Sequence, residues 1–133
     1  MFSPSEFVEI AEALRQGKAD GPLERRFRTS ISRSYYAVYL TVRQHIRDAR
    51  SDPSYDVEHA KLAKWLAEHA DATVHRFGNE FLDLWKRRTT SDYKLHETVS
   101  QNAEAVSLMS ARNLIERAGP VVKSVSPSTF PSR

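Results

Sequence analysis

The chain has 133 residues, 40% of them hydrophobic, with 20 Lys and Arg against 17 Asp and Glu, and no cysteine. That length suits one domain with a buried core, and the missing cysteine excludes disulfides, thiolate nucleophiles and cysteine-ligated metals. No run nears the roughly 18 apolar residues of a membrane span, and the opening MFSPSEFVEI has neither a basic nor an apolar leader region; a cytoplasmic protein without membrane contact is expected.

Helix punctuation begins at once. Ser3-Pro4-Ser5-Glu6 reads as a capping box with proline at the first helical position. A stripe of Phe7, Ile10, Ala11 and Leu14 follows, and Gly17 closes that helix. Gly21-Pro22 opens the next, whose core is the run Arg25 to Ile46. Its seam of Phe27, Ile31, Tyr35, Val38, Val42 and Ile46 advances in steps of three and four, which is helical and incompatible with a strand. Beside the seam lies a row of small residues, Ser30, Ser34, Ala37 and Thr41, suited either to tight packing within the chain or to a dimer contact.

Ser51-Asp52-Pro53-Ser54 predicts a turn. Asp56 is placed to cap a short helix from Val57 to about Ala70, buried through Leu62, Trp65 and Leu66. Residues 71–78 fit either an irregular link or an extra helical turn. Asn79 then caps a helix with Phe81, Leu84 and Trp85 inward. Thr89-Thr90-Ser91 predicts a kink, because hydroxyl side chains compete for backbone partners. A last helix is expected from Asp92 to Ala118, stopped by Gly119-Pro120. The pattern is an all-α bundle of four main helices plus one short helix over residues 1–118, and a flexible Ser/Pro-rich tail over residues 119–133.

Much ordinary chemistry is missing. Four glycines are too scattered for a phosphate-binding loop, and there is no Gly-x-Ser-x-Gly elbow. His45, His59, His69, His75 and His96 include no H-E-x-x-H pair, so neither metal nor cofactor is expected. Charge is concentrated instead. From Glu24 to Arg50, seven arginines (25, 26, 28, 33, 43, 47 and 50) face two acids, and Lys86-Arg87-Arg88 forms a second basic cluster. Arginine's planar fork suits phosphate or carboxylate, although a solvated helix face explains the same charges. In the segment KRRTTSDYKLH, Arg88, Asp92 and His96 recur at i, i+4 and i+8. One reading is an Arg88–Asp92 pair beside a free histidine. The other is metal-independent RNA cleavage, with His96 as general base for a ribose 2′-hydroxyl and Arg88 steadying the phosphorane charge.

Two blocks carry a resemblance. RTSISRSYYAVY, Arg28 to Tyr39, and LWKRRTTSDYKLH, Leu84 to His96, resemble the R-x-x-S-R-x-Y-Y-A and L-x-x-x-R-x-x-x-D-Y blocks of the HEPN domain family, and His59-x-x-Leu62 between them also fits. The resemblance covers roughly residues 5 to 118. It implies an up-and-down helical bundle, commonly a homodimer with its cleft near the interface. Many members are endoribonuclease toxins paired with a nucleotidyltransferase antitoxin; others are non-catalytic partners or bind RNA or a nucleotide. Family ribonucleases place four to six residues between Arg and His, whereas seven separate Arg88 from His96 here, and Thr98 stands where the toxin branch has tyrosine. Arg33, Tyr35, Tyr36, Asp92 and Tyr93 fall in the matched blocks, with Arg33 expected to pair with Asp92 inside the bundle. Arg25, Arg26, Arg28, Arg43 and Arg87 are the expected phosphate contacts.

Overall fold

The computed structural model describes residues 23–93 and 101–133, with side chains from 28 to 89 and from 104 onward. The helix expected over Ser3–Gly17 and the Gly21-Pro22 start lie outside the described residues. Within them the fold is all-α: α1 (Leu23–Arg50), α2 (His59–Ala67), α3 (Ala72–Tyr93), α4 (Gln101–Lys123) and a 3-10 turn at Pro127–Thr129. No described helix is long and apolar enough to cross a membrane.

At 28 residues, α1 is about 42 Å long. Its seam is buried: Ile31, Tyr35, Val38, Val42 and Ile46 are each at most 1% exposed. The small-residue row is buried within the chain as well, so intramolecular packing accounts for it. Ser34 and Thr41 each donate to the carbonyl four residues earlier, Ser30 and Ala37. The helix ends in a Schellman arrangement, with Asp52 N–H on the Arg47 carbonyl and Ser51 N–H on that of Asp48. Ser51 takes the left-handed conformation this requires, at φ 51°.

The short helix is narrower than expected and differently capped. It starts at His59, and the Glu58 side chain makes no capping bond. Asp56 instead accepts from Val57 N–H and reaches across to α1. The turn at 68–71 leads straight into α3. Asp71, not Asn79, is the cap: its carboxylate accepts from the N–H groups of Thr73 and Val74. Asn79 is an exposed position inside α3, hydrogen-bonded to His75. Gly78 shows why α3 begins so early. A Cβ there would overlap the backbone at Leu66 and Ala67, so the missing side chain lets α3 lie directly on the end of α2.

No kink interrupts α3 at Thr89–Ser91; the helix continues to Tyr93. The Thr89 hydroxyl donates back to the Trp85 carbonyl, within the helix's own ladder. Asp92 therefore lies within α3, described as far as Tyr93, instead of starting the last helix.

α4 packs most extensively on α1, α2 on α3, and α3 also meets α1 and α4. An Arg117–Glu80 ion pair joins α4 to α3. Phe77, Phe81, Leu84 and Leu114 are fully buried between these elements, each worth roughly 2–3 kcal/mol of transfer free energy. Gly119-Pro120 does not stop α4, which runs on to Lys123. Gly119 leaves room for the His45 ring of α1, and Val121 and Val122 bury against the core. That burial offsets the hydrogen bond that Pro120 removes.

The segment expected to be a flexible tail is docked. Val125 and Phe130 are buried, with the Phe130 ring 5.1 Å from that of Trp65. Tyr55 donates to the Pro131 carbonyl at 2.5 Å, Lys61 to that of Ser132 at 2.8 Å, and Arg133 to Asp56 at 3.0 Å.

Candidate functional site

Tyr35, Tyr36 and Tyr39 lie on one stretch of α1, and the elements packed across it bring chemistry to them. From α3, Arg88 donates to the Tyr36 hydroxyl at 3.0 Å. Its guanidinium carbon lies 5.2 Å from the Tyr36 ring centre and 5.6 Å from that of Tyr35, within cation–π range. From the start of α2, His59 stacks on Tyr39 with ring centres 4.0 Å apart. It also lies 5.4 Å from both Tyr35 and Tyr36. Arg88 and His59 thus share two tyrosine rings.

The local charge is positive. Burial first, then the Arg88 guanidinium and Arg133, hold His59 below the ordinary histidine range, with Asp56 opposing and Arg43 adding to the effect. The imidazole is therefore neutral near pH 7. Its ring nitrogens bond to no described residue. Among the described residues Asp56 is the one carboxylate that bears on it. Burial raises the Asp56 carboxyl, but bonds from Val57 N–H and the Tyr39 hydroxyl, with the charges of Arg133 and Arg43, outweigh this and hold it below the usual range. The single Tyr39 hydroxyl proton lies within reach of both Asp56, at 3.1 Å, and the Val57 carbonyl, at 2.8 Å. Burial, then Asp56, pushes the Tyr39 phenol up.

Tyr35 is fully buried, and its hydroxyl has no hydrogen-bond partner among the described residues. Burial drives its ionisation far up, against an opposing pull from Arg88. It is a core ring with an unsatisfied polar atom.

The arginine row divides along α1. Arg33, Tyr36, Leu40, Arg43, Arg47 and Arg50 descend one outward stripe at steps of three and four. Its lower arginines hold neighbouring segments. Arg43 pairs with Asp56 at 3.5 Å and lies over the Tyr39 ring. Arg47 donates to the Tyr55 carbonyl at 2.8 Å. Arg50 lies over the Tyr55 ring and reaches the Phe130 carbonyl. Arg28 is half-buried, as is Arg87 beside Arg88. Arg33, expected inside the bundle, is exposed. The side chains of Arg25, Arg26, Asp92 and Tyr93, and all of His96, lie outside the described residues.

Arg88 and Tyr36, named from sequence, come together across two helices. His59 was missed as a site residue. The only sequence signal for it was its place at the head of the His59-x-x-Leu62 segment. Nothing local reveals that α2 turns this ring onto α1. Among the described residues no cluster of three His, Asp or Glu side chains is arranged to hold a metal.

No family model matches the chain, and no solved structure matches it. Two curated archaeal proteins are similar to it. Uncharacterized protein MJ0628 of Methanocaldococcus jannaschii is 31% identical over 100 residues, 75% of this chain and 57% of its own length. Uncharacterized protein MJ0992 of the same organism is 30% identical over 116 residues, 75% of this chain and 65% of its own. The chain thus spans less than two thirds of the curated relatives it matches.

Proposed function

We propose that this chain is a HEPN-like RNA-interacting module that meets the sugar-phosphate chain at the Arg88–Tyr36–His59 cluster. The carrying observation is the placement of Arg88, bonded to the Tyr36 hydroxyl and set against two tyrosine faces beside a neutral histidine. A guanidinium recognises phosphate through its planar fork, and half-buried tyrosine and histidine rings suit the stacking by which single-stranded RNA is held. In this reading the module acts in the cytoplasm as a homodimer, alongside a nucleotidyltransferase-type antitoxin. Its reaction is metal-independent RNA cleavage, in which Arg88 steadies the charge that builds on phosphorus.

The test is binding of a fluorescent single-stranded RNA over a range of salt concentrations. Affinity should fall steeply with salt. Arg88→Ala should weaken binding by roughly tenfold and reduce the salt slope by about one. Unchanged binding in a folded Arg88→Ala protein would refute the assignment to this cluster.

A second reading rests on α4, where Val106 and Met109, three residues apart, are 39% and 71% exposed. It makes the chain a non-catalytic HEPN-like partner that dimerises or binds a nucleotidyltransferase through that face. Under this reading Met109→Lys abolishes self-association or co-purification, and RNA affinity is absent from the start.

A further inference from the structure

We infer that His59 is the general base that pairs with Arg88 in this site, an inference that rests on the RNA-cleavage reading above. Three observations converge on it. His59 and Arg88 come from different helices, yet each packs on the same two rings, Tyr35 and Tyr36. The His59 imidazole is held face-on by Tyr39, which fixes its plane while its nitrogens bond to no described residue. The groups around it are Arg43 and the three tyrosines of α1, Asp56 before α2, Arg88 of α3, and Arg133 of the docked C-terminal segment. Among the described residues this set includes the guanidiniums of Arg43, Arg88 and Arg133 and the carboxylate of Asp56, and a guanidinium's planar fork suits a phosphodiester.

The chemistry needs nothing that the site and water do not supply. His59 takes the proton of a ribose 2′-hydroxyl, and the 2′-oxygen forms a bond to the adjacent phosphorus. The bond from phosphorus to the 5′-oxygen of the next nucleotide breaks, and that oxygen takes a proton from water. The products are a 2′,3′-cyclic phosphate and a 5′-hydroxyl, and His59 then returns its proton to solvent. A neutral imidazole is the form this step requires. The burial and arginine charge that keep His59 neutral hold it in that form below pH 7. Arg88 does not move a proton; it faces the phosphate oxygens.

The experiment uses the full chain, a single-stranded RNA oligonucleotide and its 2′-deoxy counterpart, which binds but lacks the attacking hydroxyl. His59→Gln should lower the cleavage rate by about 100-fold or more, a loss well beyond the roughly tenfold at most that losing a stacked ring costs in affinity for the 2′-deoxy strand. The native rate should climb with pH through the titration of His59 and then level. NMR of the His59 ring should show its titration midpoint rise when the 2′-deoxy strand binds, as an added phosphate charge favours the imidazolium. Circular dichroism reports whether the variant is folded. If it is not, His59→Asn and the NMR shift decide. Native-like cleavage by folded His59→Gln, or a loss confined to His96→Ala, overturns the inference. RNA that is bound but never cleaved also overturns it while leaving the RNA-binding reading intact. Absence of RNA binding removes both.

Discussion

The two halves of the outward stripe on α1 differ in side chains and in work: three arginines toward its C-terminus, and Arg33, Tyr36 and Leu40 before them. Toward its C-terminus, Arg43, Arg47 and Arg50 meet Asp56, the Tyr55 carbonyl and the Phe130 carbonyl. These guanidiniums fasten the loop after α1 and the last residues of the chain. In the middle, Tyr36 accepts a bond from an arginine that arrives from another helix, beside a neutral histidine. A count of positive charge along the helix does not say what each half holds. What each guanidinium touches does. Backbone carbonyls and a local carboxylate make a clamp, whereas aromatic faces and an imidazole surround the arginine of the cluster proposed above to meet RNA.

The comparison breaks first at the clamp. Phe130 is buried against Trp65, and Phe130→Ala should cost about 3 kcal/mol, as for other buried phenylalanines. The urea midpoint should fall, and Trp65 emission should shift red. An unchanged midpoint would mean that the C-terminal segment is not fastened there. Next comes Arg47→Ala. Its bond to the Tyr55 carbonyl is charge-assisted but half-exposed, so the expected loss is about 1–2 kcal/mol. RNA affinity should be unaltered. The converse pattern, affinity lost and stability kept, would move the phosphate contact down the stripe and erase the division.

Which parts were legible from sequence follows from how local their causes are. The α1 seam could be read because each buried position repeats at helical spacing along one uninterrupted run. The bounds of α3 and α4 could not. Asp71 rather than Asn79 starts α3 because Gly78 admits the backbone of α2, a contact between two helices. Thr89–Ser91 looked like a break, but the Thr89 hydroxyl folds back onto its own helix. Gly119-Pro120 looked like a stop, yet the His45 ring fills the space at Gly119, and two buried valines carry α4 past the proline. The site shows the same limit. Arg88 and Tyr36 stood out by composition and by the matched blocks. The His59 ring reaches Tyr39 only through the turn after α1, which no spacing rule encodes.

Acid should reach the mid-helix cluster before it reaches the clamp. His59 has a depressed native pKa, so the unfolded chain binds more protons once pH drops below the ordinary histidine value of about 6.5. Stability should therefore decline from there downward, and His59→Gln should flatten that limb. Asp56 is also depressed, but its contribution is present above about pH 3.9 and is lost only as pH falls through its lower native value. Urea midpoints measured between pH 8 and 3 should show two separate declines, the upper one absent in His59→Gln. One merged decline near pH 4 in both proteins would mean that the imidazole is not held neutral by its surroundings.

The smallest expected effect is at Tyr35, and it separates two tyrosines four residues apart. Tyr39 satisfies the Val57 carbonyl, so Tyr39→Phe leaves a buried acceptor without its donor and should cost about 1–2 kcal/mol. Tyr35 has no such bond among the described residues. A buried hydroxyl without a partner is a net cost to the fold, so Tyr35→Phe should be neutral or stabilising by up to about 1 kcal/mol. The ring packing against Phe81, at 5.8 Å between centres, is retained. Because Arg88 lies against the same ring, the substitution also asks whether the cation needs the face or the hydroxyl. Unchanged RNA affinity in a protein as stable as the native one assigns Tyr35 to packing and leaves Tyr36 as the polar contact. A loss of more than about 1 kcal/mol would instead mean that the Tyr35 hydroxyl is satisfied in solution, and the buried floor of the cluster would then be polar.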